Sequence, residues 1–288
     1  MNNLQNKIAF VTGGASGIGL AMSKAFLRQG MKVMIADIEE EALARAASEL
    51  RAAPGTLQTV VCDVSRRRDV ESAAAKTLNH FGKVHIVCNN AGVAVSGAIG
   101  TIPHSDWDWI IGVNLMGVVH GVETFVPLIE KHGEGGHIVN TASLSGMGSF
   151  PTAEPYSATK YAVVGMSEGW AAQLASRNIG VSILCPAYVQ TRIAESKRTR
   201  PLRFGGEEHL TPEEAAKDIG VQMVMTGIPT DPVGERVVEA IKASELYIFT
   251  HPEFKPLIEG RFNTILAAFD KAAESTALSV LPKRKLGV

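Results

Sequence analysis

The feature that most constrains this chain is an alternation between short β-branched runs and longer amphipathic stretches, sustained from its first residues. KIAFVT precedes GIGLAMSKAFLRQG and KVMIAD precedes EEEALARAASELRA. The pattern continues through TVVCDV, VHIVCNN, HIVNTAS and VSILCPA, with helical stretches between them, two of them long, over 108–129 and 156–176. The strand-like runs are apolar throughout, as strands buried on both faces must be. A parallel sheet covered by helices on each side meets that demand, so the sequence predicts a doubly wound α/β fold, Rossmann-type, built as a single domain over residues 1–288.

After Ala187 the character changes. Residues 192–212 are polar and basic, too long for a tight connection between strand and helix, and 192–230 reads as a loop or lid over the substrate. Thr211-Pro212 and Asp231-Pro232 are helix starts, each a cap residue followed by proline. ELYIF is a last strand, and His251 to Ala273 a terminal helix within a C-terminal extension, 251–288.

Composition removes several classes of function. With 28 basic and 29 acidic residues there is no positive field for nucleic acid. Cys62, Cys88 and Cys185 are odd in number, have no CxxC spacing and each fall in an apolar run, which suits buried reduced thiols in the cytoplasm. The N-terminal apolar run ends at a glycine turn after four residues, so no leader is expected, and no run of 18 uninterrupted apolar residues suggests a membrane span. The eight histidines show no HxH, HxxxH or HExxH spacing, so no metal site is expected.

Three patterns carry chemistry. The first strand runs into Thr12-Gly13-Gly14-Ala15-Ser16-Gly17-Ile18-Gly19, whose glycines let backbone approach a pyrophosphate while the following helix aims its free N–H groups at it. Asp37 ends the second strand 18 residues after Gly19, where a carboxylate accepts from ribose hydroxyls and repels a 2′-phosphate. Glu39, Glu40 and Glu41 add to that repulsion, so NAD is favoured over NADP. Tyr156 and Lys160, four apart on a helix, share a face, where an ammonium would stabilise the phenolate. The basic run Lys197, Arg198, Arg200, Arg203 reads either as a solvated loop or as a greeting for an anionic substrate. Trp107, Trp109 and Trp170 read as packing or subunit-contact residues.

Together TGGASGIG at 12–19, CDV at 62–64, NNAG at 89–92, Asn114 in VNLMG, Ser143 in NTASLSG and YSATK at 156–160 resemble the short-chain dehydrogenase/reductase family over about residues 5–250. The resemblance implies a sheet in the order 3-2-1-4-5-6-7. It gives Tyr156 the acid/base role and Ser143 a hydrogen bond to the substrate oxygen. Lys160 would hold the nicotinamide ribose and lower the Tyr156 pKa, and Asn114 would anchor a proton-relaying water. Gly13, Ser16, Gly17, Ile18 and Gly19 would take the pyrophosphate, with Asp63 and Val64 at the adenine. Asn90, Ala91 and Gly92 would line the adenosine and ribose side, and Pro186, Val189 and Thr191 the carboxamide end. Ala187 stands where many members have glycine, so the backbone there is expected to differ slightly.

The expected activity is interconversion of a small-molecule secondary alcohol and a ketone with NAD. A 3-oxoacyl-carrier-protein reductase shares the tetrad, and a non-catalytic dinucleotide sensor would tend to lose it. DWDWIIGVNLMGVVHG, GHIVNTASLSG, RIAESKRTRP and ELYIFTHPE are similar to the family's Cα-dehydrogenases of lignin-type aryl ethers, which implies a bulky or aromatic substrate under a lid and the C-terminal helix. The two long helices carry more apolar residues than one buried face needs, so a homodimer or homotetramer is expected.

Overall fold

In the computed structural model, which describes residues 1–209 and 211–279, the chain forms two compact units, Met1–Thr250 and the residues from His251 on. The boundary falls where the C-terminal extension was expected to start, and residues 280–288 of that extension lie outside the described residues, as does Leu210 of the lid. Seven parallel strands form one sheet in the order β3-β2-β1-β4-β5-β6-β7. They are β1 Ile8–Thr12, β2 Lys32–Asp37, β3 Leu57–Val61, β4 Ile86–Asn89, β5 Gly136–Thr141, β6 Ile179–Cys185 and β7 Tyr247–Phe249.

The crossovers run through α1 Gly17–Arg28, α2 Glu40–Leu50, α3 Arg67–Phe81, α4 His104–Ile110, α5 Gly117–His132 and α6 Glu154–Leu174. Beyond β6 come α7 Pro212–Lys217, α8 Ile219–Met225 and α9 Thr230–Ala243, and the second unit carries α10 Lys255–Ala273. Strands β1, β4 and β5 are buried at every position, β5 taking His137, Asn140 and Thr141 inside with its apolar residues. One core cluster joins β1, β2, β4 and the inner faces of α1 and α9, with Phe26, Ile35, Val237 and Ile241 fully buried.

Several boundaries differ from expectation for local reasons. Thr211 does cap α7, in a capping box with Glu214, but Asp218 then accepts from the Val221 N–H and starts α8, so one expected helix is two. Helix α9 is capped at Pro229, with Asp231 in its first turn. Helices α4 and α5 run on through a π-helical stretch, Ile111–Met116. The composite helix His104–His132 is long and apolar enough to cross a membrane by length and composition, and more than half of that window is buried inside the fold, as for a core helix.

Candidate active site

Strand order reverses between β1 and β4, which opens a crevice at the carboxyl ends of the strands. Thr12 laces its two lips together. Its Oγ1 accepts from the Asn90 and Ala91 N–H groups at 2.9 and 3.0 Å, and Asn90 Nδ2 donates back to Thr12 O at 3.0 Å. The glycine loop is closed by contact as well as by conformation. Gly13 and Gly17 have φ of +59° and +53°, and a Cβ on Gly13 would meet Ala91 Cα at 2.8 Å. A Cβ on Gly17 would lie 3.0 Å from the Thr191 methyl, so this end of the cleft is built for an occupant close to backbone.

The cleft is open at its mouth and runs from the glycine loop and Asp37 past Asn90 to Ser143 and Tyr156. It gathers most of the residues expected of it: Gly13, Ser16, Gly17, Ile18, Asp37, Asp63, Val64, Asn90, Ala91, Gly92, Ser143, Tyr156, Lys160, Pro186, Val189 and Thr191, with Thr191 beside Gly17 and Gly92 beside Lys160. Gly19 and Asn114 lie behind its wall. A Cβ on Gly19 would come within 2.2 Å of Gly13 O, so Gly19 permits the loop's fold rather than contacting an occupant. Asn114, fully buried in the π-helical stretch, clamps Val93 through both ends of its amide, accepting from Val93 N–H at 2.8 Å and donating to Val93 O at 2.9 Å. Ala187 takes no positive φ, and Val189 is held at the cleft by a parallel bridge to Ile228.

Asp37 is buried, with its carboxylate accepting from Ala15 N–H at 3.1 Å and Glu39 N–H at 3.2 Å. Burial outweighs those two bonds and holds its pKa above the usual carboxylate value. Glu39, expected to repel a 2′-phosphate, is instead paired with Arg198 at 2.6 Å, and Glu40 and Glu41 stand exposed at the start of α2. Of these four acids Asp37 alone is buried.

The basic run neither floats in solvent nor waits for an anionic substrate. Lys197 pairs with Glu208 inside the segment, while Arg200 with the buried Asp106, Arg203 with Asp63 at 2.6 Å and Arg198 with Glu39 are three ion pairs that tie it to α4 and to the loops after β3 and β2. The opposite end is apolar, walled by Val93, Trp109, Val113, Ile193 and Val224.

The catalytic candidates meet there. Ser143 Oγ accepts from Ser145 N–H at 3.1 Å and donates to Pro186 O at 3.4 Å. Lys160 is buried, its Nζ donating to Thr141 O at 2.8 Å and lying 5.5 Å from the Tyr156 ring centre. Burial pulls its pKa down to about 8. For Tyr156 burial raises the pKa and the Ser143 hydroxyl lowers it by less. Sequence reasoning gave no role to Thr12 or Thr141, and read Trp109 as packing or subunit contact and Arg198 within a run either solvated or turned to an anion. Thr12 had left a signal, a hydroxyl ending an apolar strand just before the glycine loop.

The three thiols are free and buried, and burial pushes Cys62 and Cys185 up to about 12, so they are unreactive as nucleophiles. One cluster among the described residues brings His85, His132 and Glu134 within metal-binding distance of one another. Their lone pairs are spent elsewhere. His85 Nδ1 accepts from Ile8 N–H and its Nε2–H donates to Glu134, His132 bonds Val84 O and Glu134 N–H, and Lys7 and Lys83 both hold Glu134. It is an ion-pair knot at the amino ends of the central strands β1, β4 and β5.

A doubly wound sheet with a glycine loop, a strand-end aspartate and a serine, tyrosine and lysine facing one crevice defines a Rossmann-type oxidoreductase. Residues 7–201 match the model of the short chain dehydrogenase family, to which this chain belongs. It is 36% identical over 267 residues to a C alpha-dehydrogenase of Sphingobium sp., covering 92% of this chain and 87% of that one. It is 32% identical to a CLA biosynthesis dehydrogenase/reductase of Lactiplantibacillus plantarum, covering 92% and 95%. A short chain dehydrogenase/reductase from Burkholderia phymatum, solved in complex with NAD, superposes with a TM-score of 0.86 at 37% identity over the whole of both chains.

Proposed function

We propose that this chain interconverts a bulky, apolar secondary alcohol and its ketone with NAD(H), Tyr156 being the acid/base. The observation that carries the reading is the joint placement of Tyr156, Ser143 and Lys160 on one wall of a cleft whose other end is fitted to a dinucleotide. When bound, the nicotinamide supplies the hydride acceptor for alcohol oxidation. Tyr156 Oη takes the hydroxyl proton, Ser143 Oγ donates to the substrate oxygen as negative charge develops, and buried Lys160 provides the positive charge that favours the phenolate. Asn114, holding Val93 at the substrate wall, is the assigned anchor for a proton-relaying water. The apolar wall of Val93, Trp109, Val113 and Val224 supports an aryl or alicyclic substrate over a 3-oxoacyl thioester, whose polar carrier arm it would not match.

Aryl and alicyclic secondary alcohols assayed with NAD⁺ by NADH absorbance test the reading. Tyr156→Phe should lower turnover by about 10²- to 10⁴-fold, the usual range for a general acid/base, with NADH binding intact. Near wild-type turnover in that variant would remove Tyr156 from the mechanism, and preferential reduction of 3-oxoacyl thioesters would favour the carrier-protein reductase reading.

A further inference from the structure

Part of the lid is a loop closed on itself and seated on α4 by one buried charge. Asp106 lies in the first turn of α4 and is 2% exposed. Arg200, with its side chain 10% exposed, donates to that carboxylate through Nη1. The rest of the guanidinium is turned to its own loop. Its Nε donates to Gly206 O at 2.8 Å and its Nη2 to Glu208 Oε2 at 3.1 Å, so residues 200–208 close around it. Lys197 Nζ adds a longer contact, 3.6 Å from Asp106 Oδ2.

The contacts of this loop end on the wall of the cleft. Trp109 follows Asp106 by three residues on the buried face of α4, and Arg200 Cζ lies 6.0 Å from the centre of its ring. Phe204, at the tip of the loop, packs on the cluster of Val93, Val95, Trp109 and Ile110, and Tyr156 packs on the same cluster. Val93 and Trp109 also line the cleft. A buried ion pair is a weak source of net stability, because desolvation offsets much of its attraction, but its geometry can fix one seating out of several. We propose that Asp106 and Arg200 are positioning residues for substrate size: their pair seats residues 200–208 so that Phe204 backs Trp109 and the apolar end keeps a shape suited to a bulky alcohol. Neither residue touches the substrate. Both act through Trp109.

This rests on the alcohol-oxidation reading above, and the test separates the two. With NAD⁺, kcat and KM would be measured for three secondary alcohols of rising size, isopropanol, cyclohexanol and benzhydrol. The proteins are wild type, Arg200→Met, Arg200→Lys, Asp106→Asn and the double variant Asp106→Asn/Arg200→Met, each also unfolded in urea. Arg200→Met should lower the ratio of kcat/KM for benzhydrol over isopropanol by about tenfold, the scale of a small loss of pocket contact, and chiefly through the KM of benzhydrol. Arg200→Lys keeps a charge for Asp106 but cannot hold Gly206 and Glu208 as well, so it should restore part of that ratio. Each single variant leaves a buried partner unpaired and should lose stability, and the double variant should regain some of it. Its size ratio should nevertheless stay as low as in Arg200→Met, and it carries the comparison if a single variant folds poorly. A size ratio that recovers together with stability in the double variant would show a structural pair and nothing more. Equal losses for all three alcohols in Arg200→Met, or a ratio that no variant alters, would overturn the proposal while leaving the function intact. A wild type that oxidises none of the three defeats the function reading, and this inference with it.

Discussion

His137 should make the fold sensitive to mild acid, by an amount that can be worked out. The side chain, on β5, is 1% exposed, and its Nε2 lies 2.8 Å from Ser182 Oγ. Ser182 donates its own hydrogen to Glu245 O, so it can only accept from His137, which places the ring proton on Nε2 and keeps the imidazole neutral. The ring lies over Gly180 on the next strand, where a Cβ would come within 2.4 Å of Nδ1, leaving no room for water to solvate a second proton. Burial, with a smaller push from the N-terminal ammonium, lowers its pKa from 6.5 to about 4. Between those values the unfolded chain binds the proton and the folded chain does not, so this stability is present above pH 6.5 and is lost as the pH falls toward 4. At about 1.4 kcal/mol per unit the whole shift amounts to about 3 kcal/mol, of which about 2 kcal/mol is gone by pH 5. His137→Gln retains a donor for Ser182 and cannot titrate. Urea unfolding of both proteins at pH 7.5 and pH 5 should therefore show wild type losing about 2 kcal/mol more than the variant. His85, also lowered by burial, adds the same trend to both proteins and cancels in the difference. Parallel losses would mean that His137 accepts its proton in the folded state, and the argument from burial would fail.

Three further outcomes follow from other parts of the molecule. Wild type should prefer NAD⁺ over NADP⁺ by at least about tenfold in kcat/KM, about 1.4 kcal/mol, and Asp37→Ala should erode that preference, since Glu39 is already neutralised by Arg198; equal use of both by wild type would refute this. Alanine in a helix ordinarily gains about 1 kcal/mol over glycine, but Gly19→Ala should lower the urea midpoint and NADH affinity because its Cβ collides with Gly13 O, and a stabilised variant would contradict the steric argument. Light scattering at micromolar concentration should give a mass of two or four times 30.6 kDa, because α10 displays Leu257, Phe262, Ile265, Leu266 and Phe269 and the composite helix displays Ile111 and Met116; a monomer mass would oppose that.

What could be read from the sequence divides by the range of the interactions involved. The strands were legible because burial on both faces writes itself as a continuous apolar run, and the cofactor end because a glycine loop and a strand-end acid are local in spacing. The lid was not, because its meaning lies in partners far along the chain: Arg200 finds Asp106 94 residues away, Arg203 finds Asp63 140 away and Arg198 finds Glu39 159 away. A run of positive charge looks the same whether or not acids wait opposite it. Tyr156 and Lys160 were legible as a pair, but the Thr141 carbonyl that accepts from the ammonium is set by the end of β5 and left no mark near either residue.

The π-helical stretch has a consequence for how this protein tolerates change in length. Upstream of it the buried stripe is Asp106, Trp109 and Ile110; downstream a broader face is buried, Gly117, Val118, His120, Gly121, Val122, Phe125, Val126 and Ile129. Extending the first stripe at α-helical spacing leads through Val113, Gly117 and His120 to Thr124 and Leu128, which trail the buried Phe125 and Ile129 by one residue, about 100° around the axis. The extra residue is what lets a single rod turn Trp109 toward the substrate wall and Phe125 into the core. Removing any one residue from 111–116 would restore a regular helix and the hydrogen bonds that go with it, yet would bring one half or the other round to the wrong side. This helix is therefore more sensitive to its residue count than to most of its residue identities, and single-residue deletions there should be harsher than substitutions at the same positions.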